Sequence, residues 1–184
     1  MRIIRGIHKG RRIILPKGFN ARPTTDFAKE ALFNILDNNY CLLNADVLDL
    51  FAGTGSLSYE FLSEGCKRVT TVDINRQYIA HIREQGEELF PGKLTAVCSD
   101  VFKFCRNSLL NYDIIFADPP FTNERIKELP ELILKNKQIK ETVLFILEHP
   151  KEYDFSYNPF FKEKRKYGNV NFSFFAKKQD IFLQ

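Results

Sequence analysis

Asp46-Val47-Leu48-Asp49-Leu50-Phe51-Ala52-Gly53-Thr54-Gly55-Ser56 is the stretch that decides the fold. Residues 46–51 are short and mostly apolar, and a glycine pair follows. The run reads as a buried strand, the glycines as a tight turn, and the residues to about Ser63 as a helix. A strand, a glycine turn and a helix in that order mark the place where a doubly wound sheet binds its cofactor. Asp73 ends the next strand, 20 residues beyond Gly53, where an acid commonly accepts hydrogen bonds from a ribose diol.

The same rhythm continues outward. Strands are predicted at 46–51, 68–73, 94–98, 112–117 and 142–147, with helices at 77–89, around 101–110, and at 122–136, where Pro130 threatens a break. Such alternation demands a mainly parallel sheet with helices on both faces. Downstream, 160–167 and 170–177 flank Gly168-Asn169, a two-residue hairpin signal, so an antiparallel pair closes the sheet. Upstream, Arg2-Ile3-Ile4-Arg5 and Arg11-Arg12-Ile13-Ile14-Leu15 read as a basic β-hairpin. A loop from Pro16 to Pro23 follows it. A helix then starts at Thr24 or Thr25 and runs to about Asp37.

The chain has 184 residues, 44% hydrophobic and 27% charged. That supports one sizeable core and argues against disorder. No apolar run approaches the roughly 20 residues of a membrane helix, and Met1–Arg5 begins no signal peptide. Cys41, Cys66, Cys98 and Cys105 show no metal-ligand or disulfide spacing. They read as reduced thiols of a cytoplasmic protein. His8, His81 and His149 show no metal spacing either. His8 is a candidate phosphate contact or a plain surface residue. Net charge is +4, but residues 1–25 carry +7, residues 161–184 carry +4 and the body between carries −7. Basic ends on an acidic body suggest a nucleic-acid surface, with a solvated charged surface as the plain alternative.

Two cofactor classes compete for the glycine turn. A dinucleotide site usually has a third glycine where this chain has Ser58. S-adenosylmethionine carries no phosphate, and Asp49 beside the turn can face its ammonium group. Asp100 can accept from the adenine amino group, cap the helix from Val101, or do both. Asp118-Pro119-Pro120-Phe121 ends the fourth predicted strand, next to the first, and so projects into the crevice. Its prolines fix the backbone and leave carbonyls free to accept. The Asp118 carboxylate and the Pro119 carbonyl can hold the two hydrogens of an exocyclic amino group, and Phe121 can stack on the base. Glu148, at the end of the fifth strand, is a candidate base contact or a surface residue. Phe160 and Phe161 are candidates for a stacking platform or for sheet packing.

With Arg22-Pro23-Thr24-Thr25-Asp26, Glu30-Ala31-Leu32-Phe33-Asn34-Ile35-Leu36, Leu48 to Gly55, Asp73, and Asp118 to Phe121 in place, the chain resembles the bacterial family of 16S ribosomal RNA guanine-N2 methyltransferases. The basic opening Arg2–Gly6 and Gly10-Arg11 fit as well. The resemblance implies an α/β, Rossmann-like S-adenosylmethionine-dependent methyltransferase with a seven-stranded, mostly parallel sheet. One methyltransferase domain would span 1–184, with 1–23 as a basic extension and 24–184 as the core. Asp49, Gly53, Gly55, Asp73 and Asp100 would bind the cofactor, and Thr24 and Thr25 would close its end of the site. Asp118, Pro119 and Phe121 would be catalytic, and Arg2, Arg5, Arg11, Arg12 and Arg22 would grip RNA. No metal and no membrane are implied. The partner would be 16S rRNA in the small ribosomal subunit or a late assembly intermediate, met by a monomer. Ser58 stands where the family usually has glycine or another small residue, which implies looser helix packing there. Past Glu148 the likeness is one of pattern only. Three rivals remain at this point: an adenine-N6 methyltransferase, a nicotinamide-dependent oxidoreductase, and a non-catalytic ribosome-assembly factor.

Overall fold

Apolar residues on both faces of the central strands require cover on both sides of a sheet, and the computed structural model shows that arrangement. It describes residues 1–15, 25–168 and 170–178. Helix α1 (Asp26–Asn39) precedes β1 (Asp46–Leu50), α2 (Ser56–Ser63), β2 (Arg68–Asp73), α3 (Arg76–Leu89), β3 (Leu94–Cys98), α4 (Val101–Asn107) and β4 (Ile114–Ala117). A 3₁₀ turn (Glu124–Glu128), α5 (Leu129–Leu134), β5 (Leu144–His149), β6 (Phe161–Tyr167) and β7 (Val170–Ala176) follow. The seven strands form one sheet in the order β3-β2-β1-β4-β5-β7-β6. The first five in that order are parallel, and β7 is antiparallel to both β5 and β6.

Successive side chains point to opposite faces, so each strand feeds two cores. Val47, Phe116, Ile146, Phe172 and Phe174 pack with α1 and α2 on one face. Leu48, Leu50, Ile115, Phe145, Leu147 and Phe175 pack with α4 and α5 on the other. Phe161 meets Phe175 at 5.9 Å between ring centroids, which makes it sheet packing. All eight residues of α2 are buried, because this helix lies between the sheet and the N-terminal segment.

Two expectations need correction. The helix predicted over 122–136 is a 3₁₀ turn followed by a short α5. Asn123 caps the turn through a bond from Arg125 N, 3.0 Å. Pro130 sits in the first turn of α5, where its missing N–H costs no intrahelical bond; it begins a helix there and breaks none. The basic hairpin forms but is shorter than expected. An antiparallel bridge joins Arg2 and Arg12, with Ile3 N donating to Arg11 O at 2.9 Å, Gly10 N to Ile3 O at 2.8 Å and Ile13 N to Met1 O at 2.9 Å, around a 3₁₀ turn at Gly6–His8. Its outward backbone groups bond to the body. Ile4 N donates to the Glu60 carboxylate at 3.0 Å, Lys29 Nζ donates to Arg2 O at 3.1 Å, and Ser63 Oγ donates to Arg5 O at 2.6 Å. Gly6 has φ +71°, and a Cβ there would lie 2.0 Å from the Ser63 carbonyl oxygen. The segment is therefore docked on α2 by polar bonds, with Ile3 and Ile13 buried beneath it. The Pro16–Pro23 loop, Arg22, Thr24 and Asn169 lie outside the described residues.

Candidate active site

Strand order reverses between β1 and β4, since the chain builds β1, β2, β3 outward and then returns to place β4 and β5 on the other side. Open sheets form a ligand crevice at this switch, outside the carboxyl ends of the strands. A cavity of about 1050 Å³ lies there. Each of the five parallel strands contributes one carboxylate at or just beyond its carboxyl end: Asp49, Asp73, Asp100, Asp118 and Glu148. No Lys, Arg or His is among the described residues that line it.

The floor is the glycine turn. Gly53 (φ +54°) and Gly55 (φ +76°) adopt left-handed backbone, and so does Phe51 (φ +59°). Only glycine takes that conformation without strain. At Phe51 the strain is held by packing against Phe102, 6.0 Å between centroids. Asp73 ties the turn to β2, accepting from Gly53 N at 2.9 Å and Asn75 N at 2.8 Å. A carboxylate has about four acceptor positions, so both oxygens retain capacity for a ribose diol. Asp100 accepts from Lys103 N at 2.8 Å and caps α4 while also lining the cavity. Both roles weighed for it from sequence have a geometric basis.

Asp49 is 2% exposed. Ser58 Oγ donates to its carboxylate at 2.5 Å and in turn accepts from Thr71 Oγ1 at 2.6 Å. At Ser58, where the sequence led to an expectation of looser packing, the hydroxyl is fully buried and orients the acid. Burial pushes the Asp49 carboxyl up to about 7, with Asp118 and Asp73 adding repulsion and the Ser58 bond opposing. Beside it, the Ser56 hydroxyl at the start of α2 is buried with no hydrogen-bond partner among the described residues. Helix N-termini favour anions, so Asp49 and Ser56 together suit a zwitterion, with ammonium facing the acid and carboxylate facing the helix. The residues present fit the methionine end of S-adenosylmethionine.

Asp118 N donates to Leu50 O at 3.3 Å, which fixes the Asp-Pro-Pro-Phe segment over β1. Asp118, Pro119, Pro120 and Phe121 all line the cavity, and Phe121 is 49% exposed. Thr25 lines it as well, and its hydroxyl accepts from Ala28 N at 3.2 Å to cap α1. The five acids, the two glycines, Thr25 and the Asp-Pro-Pro-Phe residues therefore converge on one cleft, except that Gly55 shapes the turn from beneath.

The conserved hypothetical protein 95 family model matches residues 1–176. The chain belongs to this family. It is 31% identical over 148 residues to Ribosomal RNA small subunit methyltransferase D of Escherichia coli strain K12, covering 80% of this chain and 74% of that one. The protein of the same name from Buchnera aphidicola is 30% identical over 148 residues, covering 80% and 75%. Among solved structures, Escherichia coli yhhF superposes with TM-score 0.83 at 28% identity, covering 97% of this chain and 99% of that one. The family fold is the seven-stranded sheet described above.

The basic residues of this family member are placed less uniformly. Arg2 pairs with Asp26 at 3.1 Å and Arg11 with Glu88 at 2.6 Å, both exposed. Arg5 is half-buried among Asp37, Glu64 and Asn34. Arg5 is thus an internal anchor. Arg12 is exposed and makes no ion pair among the described residues. His8 contacts Leu89 O at 3.1 Å and the Phe90 ring edge-on, which ties it to the end of α3. Sequence reasoning missed Phe27, Ile74, Tyr167 and Gly168, which also line the cleft. Ile74 carried a signal, an exposed apolar residue directly after the ribose-type acid. Among the described residues no cluster of His, Cys, Asp and Glu could hold a metal, and no helix is long and apolar enough to cross a membrane.

Proposed function

We propose that the protein transfers a methyl group from S-adenosylmethionine to the exocyclic N2 amino group of a guanine in 16S rRNA of the small ribosomal subunit. One observation carries the choice of cofactor: five carboxylates and no cation line the described cleft. A sulfonium cofactor is attracted to such a site. A nicotinamide dinucleotide would set its pyrophosphate against the same charges with no counter-ion among the described lining residues. The names of the relatives support the rRNA reading of the acceptor.

When bound, the cofactor supplies an electrophilic methyl carbon on a positively charged sulfur. Asp49 and Ser56 hold its amino-acid end, Asp73 its ribose, and Asp100 its adenine amino group. Thr25 closes that end of the cleft. Asp118 and the Pro119 carbonyl accept the two hydrogens of the guanine amino group. Held so, the amino nitrogen would turn its lone pair towards the methyl group that the cofactor would supply, with S-adenosylhomocysteine as the leaving product. Phe121 stacks on the base, a contribution of about 1–3 kcal/mol. As the nitrogen–carbon bond forms, the amino group becomes acidic, and Asp118 or water takes the proton. Arg2, Arg11, Arg12 and Arg22 contact RNA phosphates, and Arg5 supports the segment that carries them. An intact Asp-Pro-Pro-Phe segment over a large cleft argues against a binding-only assembly factor.

Two measurements test the reading. Calorimetry should show binding of S-adenosylmethionine and none of NADH. Labelled methyl should enter RNA when the protein meets small subunits from cells that lack it. NADH binding without methyl incorporation would overturn the proposal.

A further inference from the structure

We propose that Glu148 selects guanine by accepting its ring N1–H beside the amino group that Asp118 holds. The inference rests on the guanine reading above and adds the residue that decides between bases.

Glu148 is 4% exposed, so it is no surface residue, yet it lines the cleft. Its neighbours along β5, Leu144 and Ile146, alternate onto the face that holds Phe116 of β4. Asp118 follows Phe116 by two residues and shares that face. β4 and β5 pair in parallel up to Ala117 with Leu147. Both acids line the same cleft, and continuing this register one step past its last pair brings the Asp118 backbone beside that of Glu148, at the strand spacing of about 4.8 Å. On the other side Glu148 faces Phe172 of β7, whose ring is fully buried. Two carboxylates thus stand side by side on one face, with apolar backing.

Guanine is the base whose edge matches. Its N2 amino group adjoins a ring N1–H, so two donor positions are neighbours. In adenine the ring nitrogen beside the N6 amino group carries a lone pair, and so does the ring nitrogen beside the cytosine N4 amino group. Either base would press that lone pair against the Glu148 carboxylate, an acceptor facing an acceptor. Two acceptors repel where guanine sets a donor, and sites built on such a hydrogen bond discriminate far better than apolar pockets do. Asp118 alone would accept any exocyclic amino group. Glu148 supplies the second criterion.

The test compares guanosine 5′-monophosphate with 2-aminopurine ribonucleoside 5′-monophosphate, which keeps the 2-amino group and lacks the N1–H. Binding is measured by calorimetry with S-adenosylhomocysteine present, for the wild type, Glu148→Gln and Glu148→Ala. The wild type should prefer the guanine nucleotide by about tenfold or more. Both variants should narrow that preference to within about threefold while holding S-adenosylhomocysteine as the wild type does. The same proteins are then given unmodified small subunits, and the methylated nucleoside is identified. No guanine preference in the wild type, a preference that survives in the variants, or a loss confined to S-adenosylhomocysteine binding overturns the assignment of Glu148. A product other than N2-methylguanine from the wild type overturns the underlying reading instead.

Discussion

Affinity for S-adenosylmethionine should fall about fivefold when the pH drops from 7 to 6, because Asp49 must ionise to face an ammonium group. Burial holds its carboxyl up at about 7 in the free protein, so near neutrality about half of it is protonated. A bound ammonium favours the carboxylate and draws the carboxyl down. Binding then releases a proton, and affinity rises with pH. For a free-state value near 7, the ionised fraction is about one-half at pH 7 and about one-tenth at pH 6, a window in which the ligand's own α-amino group stays mostly protonated. The ratio corresponds to roughly 1 kcal/mol. The ligand-free fold should show the opposite sign. An acid raised above its unfolded value of 3.8 favours the folded state below that value, and this contribution is lost as pH rises through 7. Calorimetry in two buffers of different ionisation enthalpy reads both affinity and proton release. Asp49→Asn keeps an acceptor for Ser58 but has nothing to titrate, so its weaker binding should be flat with pH. Wild-type affinity constant within twofold from pH 6 to 7, or a slope that persists in Asp49→Asn, would refute the reasoning.

Asp118→Ala should cut single-turnover methyl transfer by about a hundredfold or more while cofactor affinity stays within a few-fold, since one of two orienting acceptors is lost. Stopped transfer reactions at saturating cofactor decide it, and a near-wild-type rate would sink the orienting role. Glu60→Ala should destabilise the fold by about 1–3 kcal/mol, because it removes the carboxylate that bonds the fully buried Lys29 ammonium at 2.9 Å and leaves it Arg2 O at 3.1 Å and Asp26 at 3.5 Å. Denaturant melts measure this, and a loss below about 0.5 kcal/mol would show that those two partners suffice. Arg12→Glu should flatten the salt dependence of RNA binding by a slope of roughly 0.7–0.9 per lost phosphate contact. Arg5→Ala should instead lower Tm and leave that slope unchanged, because its partners are Asp37, Glu64 and Asn34. Equal effects of the two variants on the slope would reject this division.

The sheet was legible because its signals are local. Apolar runs, glycine turns and capping residues such as Thr25 and Asp100 lie within a few positions of the structure they cause. The acids at the strand ends followed from topology, since parallel strands with crossover helices bring their carboxyl ends together. The N-terminal hairpin was legible from its two β-branched runs, but its docking was not, because Ile4, Arg2 and Arg5 bond to Glu60, Lys29 and Ser63, residues 27 to 58 positions away. Charge counting placed seven cations in residues 1–25 but could not show that Arg5 is held among Asp37, Glu64 and Asn34. Ser58 looked like an imperfect glycine until its bonds to Asp49 and Thr71 gave the hydroxyl a task. Glu148 could be assigned to surface or cleft only once the register of β4 with β5 was known.

The most direct test of the account is the identity of the methylated nucleoside. Small subunits from cells lacking the protein are incubated with it and with labelled S-adenosylmethionine, the RNA is digested, and the labelled nucleoside is identified by chromatography and mass. N2-methylguanosine at one position in 16S rRNA is the expected result. N6-methyladenosine, or no labelled nucleoside from a protein that binds the cofactor, would contradict it.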